Sequence, residues 1–219
     1  MIAAVVPAAG LSRRMGTQKL LLPFGDTTII GHVVDELLRS RVGGVYVVVG
    51  HQAERVEAAL SGRGVSIVVN PDYAQGMLSS VRCGLRALPP QCEAIVVALG
   101  DQPAITAELV DAMVEAFRTD RHRIVVPVHG GRRGHPLLFS ADYRPEILTQ
   151  YDDQGLHGLL RVHANDVFEL PVSTAAVLSD IDYPEDYQRE RASAGGPTSA
   201  KSGAQHKKTP QKRGPASGA

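Results

Sequence analysis

"VVPAAGLSRRMGTQK", residues 5–19, links an apolar run to an amphipathic one and sets two arginines and a lysine among two glycines. The run that feeds it, residues 2–6, is continuously apolar and reads as a short buried strand. Beyond it, Ile30, Val33, Val34, Leu37 and Leu38 keep the spacing of one helical face. Strand, glycine-containing loop and helix in that order make the first unit of an α/β fold. Between Gly10 and Lys19 the loop has no acid, and none follows until Asp26. This is the layout of an anion site, where glycines let backbone N–H groups approach and cations neutralise what binds. A solvated basic surface loop is the other reading that charge alone permits. Two familiar phosphate loops do not match. A Walker A loop needs Lys directly after its second glycine, but Thr17 and Gln18 precede Lys19 here. A dinucleotide fingerprint, G-x-G-x-x-G, finds Gly10 followed by Leu11 and Ser12 with no glycine at the required places.

Outward from this unit, residues 44–50, 64–70 and 93–101 are Val-rich runs without alternation, as expected of strands buried on both faces of a parallel sheet. A short helix is predicted at 54–60. Another starts near Met77, with Leu78, Val81, Leu85 and Leu88 on one stripe. A third follows Thr106, its N-cap, with Glu108 in the first turn and Leu109, Ala112, Met113, Ala116 and Phe117 at helical spacing. The alternation βαβαβαβα implies right-handed crossovers and a doubly wound, mostly parallel, Rossmann-type α/β sheet. Strands at 123–128, 136–140 and 166–172, with helices at 141–149 and 155–163, are expected to complete it in a partly antiparallel C-terminal portion. Ligands of such sheets sit outside the carboxyl ends of the strands, so the cationic loop, Asn70 and Asp101 are expected to face one crevice. An Asp beside a cationic loop suggests a cation between them. Mg²⁺ suits the place, since it takes few carboxylates and completes its shell with phosphate oxygens and water. Capping of the turn "DQPAIT" is the alternative role for Asp101.

At 219 residues and 43% hydrophobic, the chain has room for one sizeable domain, assigned to residues 1–191. Residues 192–219 are rich in Gly, Pro, Ser and Ala and read as a disordered basic tail. Lys201, Lys207, Lys208, Lys212 and Arg213 are unopposed there, so the formally neutral chain leaves five excess acids in the rest. That balance excludes a general nucleic-acid binder for the folded part; the basic tail reads as a solubilising extension, with contact to RNA, a membrane or an acidic partner as its alternative. Cys83 and Cys92 have no metal-ligand spacing and read as reduced thiols of a cytoplasmic protein. His51, His129 and His135 fit no zinc pattern. No stretch is long and apolar enough for a membrane span, and the first residues enter a strand instead of a signal peptide.

Five motifs follow one another along the chain: A-A-G-x-S-x-R-M-G-x-x-K with L-L-P after it, then "NPDYAQGMLSSV" (70–81), "ALGDQP" (98–103), "RGHPLLF" (133–139) and "DIDYPEDY" (180–187). Together they resemble the nucleotidyltransferases of molybdenum cofactor maturation, in particular the cytidylyltransferase branch, over residues 2 to about 187. The resemblance implies a nucleotide-diphospho-sugar transferase-like fold. It also implies a reaction in which the terminal phosphate of molybdopterin attacks the α-phosphorus of a nucleoside triphosphate and pyrophosphate leaves. By motif match, Ala8, Ala9 and Gly10 would contact the nucleotide through backbone, with Asn70 on the same crevice, while Arg14 and Lys19 grip the triphosphate. Gly76 and Ser80 would lie against base and ribose, and Asp101 would hold Mg²⁺, making Arg14, Lys19 and Asp101 the catalytic set. Gly134, His135 and Pro136 would meet the acceptor. Asp182 stands where related enzymes often place a second metal-binding carboxylate; capping of the last helix is its other role. Ala9, where the guanylyl branch has glycine, favours CTP over GTP, and a recipient molybdoenzyme would take the product. Pro7 departs from the small or aliphatic residue usual before A-A-G. Two other readings stay open: a nucleotidyltransferase of this fold acting on a sugar phosphate or phospholactate, and a non-catalytic cofactor-binding chaperone.

Overall fold

The computed structural model describes residues 1–119 and 122–193. Its strands are β1 (Ile2–Pro7), β2 (Pro23–Phe24), β3 (Thr27–Thr28), β4 (Val45–Val49), β5 (Ser66–Val69), β6 (Ala94–Val97), β7 (Ile124–His129), β8 (Arg132–Arg133), β9 (Leu137–Ser140) and β10 (Val167–Pro171). The helices are α1 (Ile29–Arg39), α2 (Ala53–Ala59), α3 (Met77–Ala87), α4 (Ala107–Thr119), α5 (Arg144–Thr149), α6 (Leu156–Val162) and α7 (Pro184–Ser193). The main sheet runs β10-β7-β9-β6-β1-β4-β5, with β8 attached to β7. β1 pairs in parallel with β4 and β6, β4 with β5, and β7 with β10. The antiparallel part is β9, inserted between β6 and β7, and the β7-β8 hairpin. A mostly parallel α/β sheet with antiparallel strands late in the chain is therefore the observed architecture.

Strand β1 shows why its sequence has no alternation. Ile2, Ala4 and Val6 pack into one core with α1, α2, α4 and Tyr187 of α7. Ala3 and Val5 pack into the other with α3, α5 and α6. Strand β6 divides in the same way, Ala94 and Val96 on one side and Ile95 and Val97 on the other. Both faces of the central strands thus bury apolar side chains, which drives the layering. Helix α3 lies close over β1 because it carries Gly84: a Cβ there would stand 2.5 Å from Val5 Cγ1. Thr28 Oγ1 accepts from Gly31 N at 3.1 Å to start α1. Thr106 Oγ1 accepts from Leu109 N at 3.3 Å, the expected cap of α4.

Three details depart from the pattern. The 141–149 segment opens as a 3-10 turn, Ala141–Tyr143, before α5. The two-residue strands β2 and β3 form a small ribbon too short for periodicity to mark. Helix α7 runs to Ser193, so residues 192 and 193, assigned to the tail, are helical. The rest of that tail, 194–219, lies outside the described residues. Cys92 is buried and Cys83 half-buried, both free. Among the described residues no helix is long and apolar enough to cross a membrane.

Candidate active site

The strand order reverses between β1 and β6, which lie side by side while the chain continues from them toward opposite edges of the sheet. Beyond their carboxyl ends lies a cleft of about 500 Å³, the position where open α/β sheets receive ligands. Ala8, Ala9 and Gly10 line it; Arg14 and Lys19 come from the loop after β1, and Asp101 from the turn after β6. Gly76 and Ser80 at the start of α3, and Asp182 from the segment before α7, complete it.

The loop after β1 folds around its own polar side chains. Ser12 adopts φ 48°, and its Oγ donates to Gln18 Oε1 at 2.8 Å while accepting from Lys19 N at 3.2 Å. Gln18 is only 4% exposed, and its amide reaches back to the carbonyls of Gly10 and His51 at 3.4 and 3.3 Å. Leu20 is buried in the core beneath. Lys19, between a hydrogen-bonded glutamine and an anchored leucine, is thereby held at the cleft wall. In the sequence Gln18 reads as an ordinary polar loop residue, and Ser12 stands out only as a motif position.

Lys19 Nζ lies 2.6 Å from Asp101 Oδ2, 3.1 Å from Asp182 Oδ1 and 2.7 Å from the Ile181 carbonyl. Burial works to lower the pKa of this ammonium, but the charge and hydrogen bond of Asp101, joined by those of Asp182, outweigh it and raise the pKa above the ordinary lysine value. Arg14 hydrogen-bonds Asp182 Oδ2, and its guanidinium lies over the Tyr183 ring, 5.7 Å from the centroid. Two cations and two carboxylates from three distant parts of the chain meet in one cluster. The Asp182 carboxylate does not cap α7. That task falls to Asp186, whose Oδ2 accepts from the N–H groups of Asp182 and Tyr183 at 3.1 and 2.9 Å.

Asn70 corrects the expectation for it. It follows β5 as foreseen but is 3% exposed and is not part of the cleft lining. Its amide donates to Ser79 and Ser80 Oγ, both at 3.0 Å, and its Oδ1 accepts from Asp72 N at 3.0 Å. It shapes the turn into α3 and orients Ser80. Strand ends are readable from an apolar run; the direction of the next side chain is not.

A second cavity of about 210 Å³ adjoins the cleft, with Met77 and Leu99 common to both. Gly134 and His135 line it together with apolar side chains such as Val81 of α3, Leu137 of β9 and Leu160 of α6. Pro136, expected with them to meet the acceptor, is buried and is not among the residues that line the cavity; a cis peptide bond joins it to His135. Gly134 admits a close approach: a Cβ would stand 2.2 Å from the Val177 carbonyl, which accepts from His135 N at 2.9 Å. His135 Nδ1 is buried without a hydrogen-bond partner among the described residues. Burial, then the charge of His157, lowers the His135 pKa against the pull of Asp101 and Asp180, so the ring is neutral near pH 7. Among the described residues no three His, Cys, Asp or Glu side chains gather as a metal cluster; Asp101 and Asp182 form a pair.

The chain is similar to known proteins over most of its length. Residues 4–167 match the family model described as the MobA-like NTP transferase domain. The chain is 29% identical over 189 residues to the molybdenum cofactor cytidylyltransferase of Escherichia coli K12, covering 85% of this chain and 93% of that protein. It is 30% identical over 195 residues to the nicotine blue oxidoreductase of Paenarthrobacter nicotinovorans, covering 86% and 95%. Among solved structures, Rv0371c of Mycobacterium tuberculosis H37Rv superposes with a TM-score of 0.79 at 31% identity, covering 87% of this chain and 97% of that one. The same protein has also been solved as a complex with manganese, with a TM-score of 0.74 at 30% identity over 88% and 98% of the two chains. With its fold, its switch-point cleft and three quarters of its length matched, the chain belongs to the MobA-like NTP transferase family.

Proposed function

We propose that this protein transfers CMP from CTP to the terminal phosphate of molybdopterin, with release of pyrophosphate, in the cytoplasm. The observation that carries this reading is the meeting of Arg14 and Lys19 with Asp101 and Asp182 beside the Ala8-Ala9-Gly10 backbone. A phosphate monoester is already an anionic nucleophile, so no general base is required. Its oxygen forms a bond to the α-phosphorus as the bond from that phosphorus to the bridging oxygen breaks, and pyrophosphate departs. The task left to the protein is positioning and neutralisation of charge. The backbone of residues 8–10, with Gly76 and Ser80, holds the nucleoside. Arg14 and Lys19 hold the phosphates and stabilise the leaving pyrophosphate. Gly134 and His135 face the acceptor, and the neutral, unpartnered His135 Nδ1 offers it a hydrogen bond.

The donor set suits Mg²⁺: two hard carboxylates already converge on one cation, Lys19 Nζ, and Mg²⁺ needs only one or two carboxylates when phosphate oxygens and water supply the rest. Asp101 and Asp182 would hold it, and its chemistry there is neutralisation of phosphate charge. The manganese complex of Rv0371c supports a divalent cation in a relative. The cytidylyltransferase relative and Ala9 in the cleft lining support CTP over GTP.

The test is pyrophosphate release by purified protein with Mg²⁺, each of four nucleoside triphosphates, and molybdopterin. Release that needs both CTP and molybdopterin is the expected result. Equal or faster release with GTP overturns the base assignment. Release with a sugar phosphate or phospholactate in place of molybdopterin overturns the acceptor. An arm that follows redox conversion of nicotine blue checks the chemistry named in the oxidoreductase relative.

A further inference from the structure

We infer that Asp182 acts as an internal stand-in for the triphosphate, holding Arg14 and Lys19 until a divalent cation takes the carboxylates, so that nucleotide and metal bind in mutual dependence. This rests on the reading of the cleft as a metal-dependent nucleotide site and adds a linkage between its two ligands.

Lys19 and Asp182 are fully paired within the cluster. The three N–H bonds of Lys19 are matched by Asp101 Oδ2, the Ile181 carbonyl and Asp182 Oδ1. Asp182 spends one oxygen on Lys19 and the other on Arg14. Two cations and two anions leave the cluster without net charge. The backbone that presents the Asp182 carboxylate is also well anchored. The Asp182 N–H is held by Asp186 at 3.1 Å, and the preceding Ile181 N donates to the Asp101 carbonyl at 3.1 Å. A triphosphate entering this arrangement must break short charge-assisted bonds and meets a carboxylate already seated on its cations. A divalent cation changes both conditions. Bound to Asp101 and Asp182, it replaces the ammonium between them and releases Lys19 and Arg14 toward the phosphates. Each ligand then raises the affinity of the other by one common factor.

The experiment measures CTP and GTP binding calorimetrically at one pH and ionic strength, with EDTA or with Mg²⁺. The wild-type protein is expected to bind weakly in EDTA and much more tightly with Mg²⁺. Asp182→Asn is expected to bind nucleotide about tenfold more tightly than wild type in EDTA, with a smaller gain from Mg²⁺. Asp180→Asn removes the same charge from an exposed position two residues away and is expected to match wild type. If Asp182→Asn binds no more tightly in EDTA, or Asp180→Asn tightens equally, the inference is overturned. If wild type binds neither nucleotide even with Mg²⁺, the nucleotide-site reading itself fails and the linkage with it. A second variant works without nucleotide. Lys19→Gln removes the ammonium from between the carboxylates and is expected to tighten Mn²⁺ binding, followed by electron paramagnetic resonance, about fivefold over wild type. Unchanged or weaker Mn²⁺ binding overturns the proposal.

Discussion

Asp101 and Gln18 stand at two depths of one site, and their substitution separates chemistry from scaffolding. Asp101→Asn takes away the carboxylate nearest Lys19, at 2.6 Å, and is expected to slow pyrophosphate release by at least about a hundredfold. Its far-ultraviolet circular dichroism should stay as in wild type. Gln18→Ala leaves Ser12 Oγ and the carbonyls of Gly10 and His51 without their buried partner. The expected loss is about 1–3 kcal/mol by urea denaturation, with the nucleotide KM rising more than kcat falls. His135 sets a pH dependence. Its folded pKa lies below the ordinary 6.5 through burial, so the unfolded chain binds the proton more readily in the interval beneath 6.5. Stability therefore falls as pH drops through that interval. Melting temperatures from pH 8 to about pH 5.5 should decline less steeply for His135→Gln than for wild type. At this scale the sequence is half legible. Arg14, Lys19 and Asp101 announce themselves by charge beside strand ends. Gln18 does not, and Asn70 stands out at a strand end but in a role the structure does not give it, because a polar residue next to a loop looks solvated until the fold closes over it.

The elements were far easier to read, since burial of both faces of β1, β4 and β6 forces runs of apolar residues that no other role explains. What the pattern does not reveal is how helices fasten to one another. Glu36 on α1 is 7% exposed, and its Oε2 accepts from Ala107 N at 3.0 Å, the first residue of α4. A helical stripe of Ile30, Val33, Val34 and Leu37 hides this acid on its margin. Glu36→Ala leaves the Ala107 N–H buried and unmatched, and an expected loss of about 1–3 kcal/mol is measurable by chemical denaturation. The nucleotide KM should stay near the wild-type value, since neither residue borders the cleft. The ribbon of β2 and β3 escaped notice for another reason: two residues per strand are fewer than one period of any pattern.

Across the whole molecule, the reversal of strand order between β1 and β6 decides where the cleft lies; the order of strands and helices implies a doubly wound sheet with ligands at the carboxyl ends of its strands, while the place of the reversal needs the fold. Asp182 is expected at the same spot only through the family resemblance, since nothing in its local pattern shows that its segment arrives there from the far end of the domain. Helix α7 secures that arrival, with Tyr187 Oη donating to the Pro23 carbonyl at 2.7 Å and Glu190 only 9% exposed. Truncation after Ser193 keeps these contacts, so turnover and melting temperature are expected to match the full chain. A large loss of either, in a thermal melt or a pyrophosphate assay, would show that residues beyond 193 support the domain. The bond between Arg14 and Asp182 also has a consequence for biosynthesis. Its partners are among the first and last residues of the domain to leave a ribosome, and sequence-distant contacts form only after the intervening chain is available. A growing polypeptide can assemble β1, α1 and β4 early, yet its cationic loop meets Asp182 only when the domain is almost complete, so the protein's birth ends with the joining of its ion cluster.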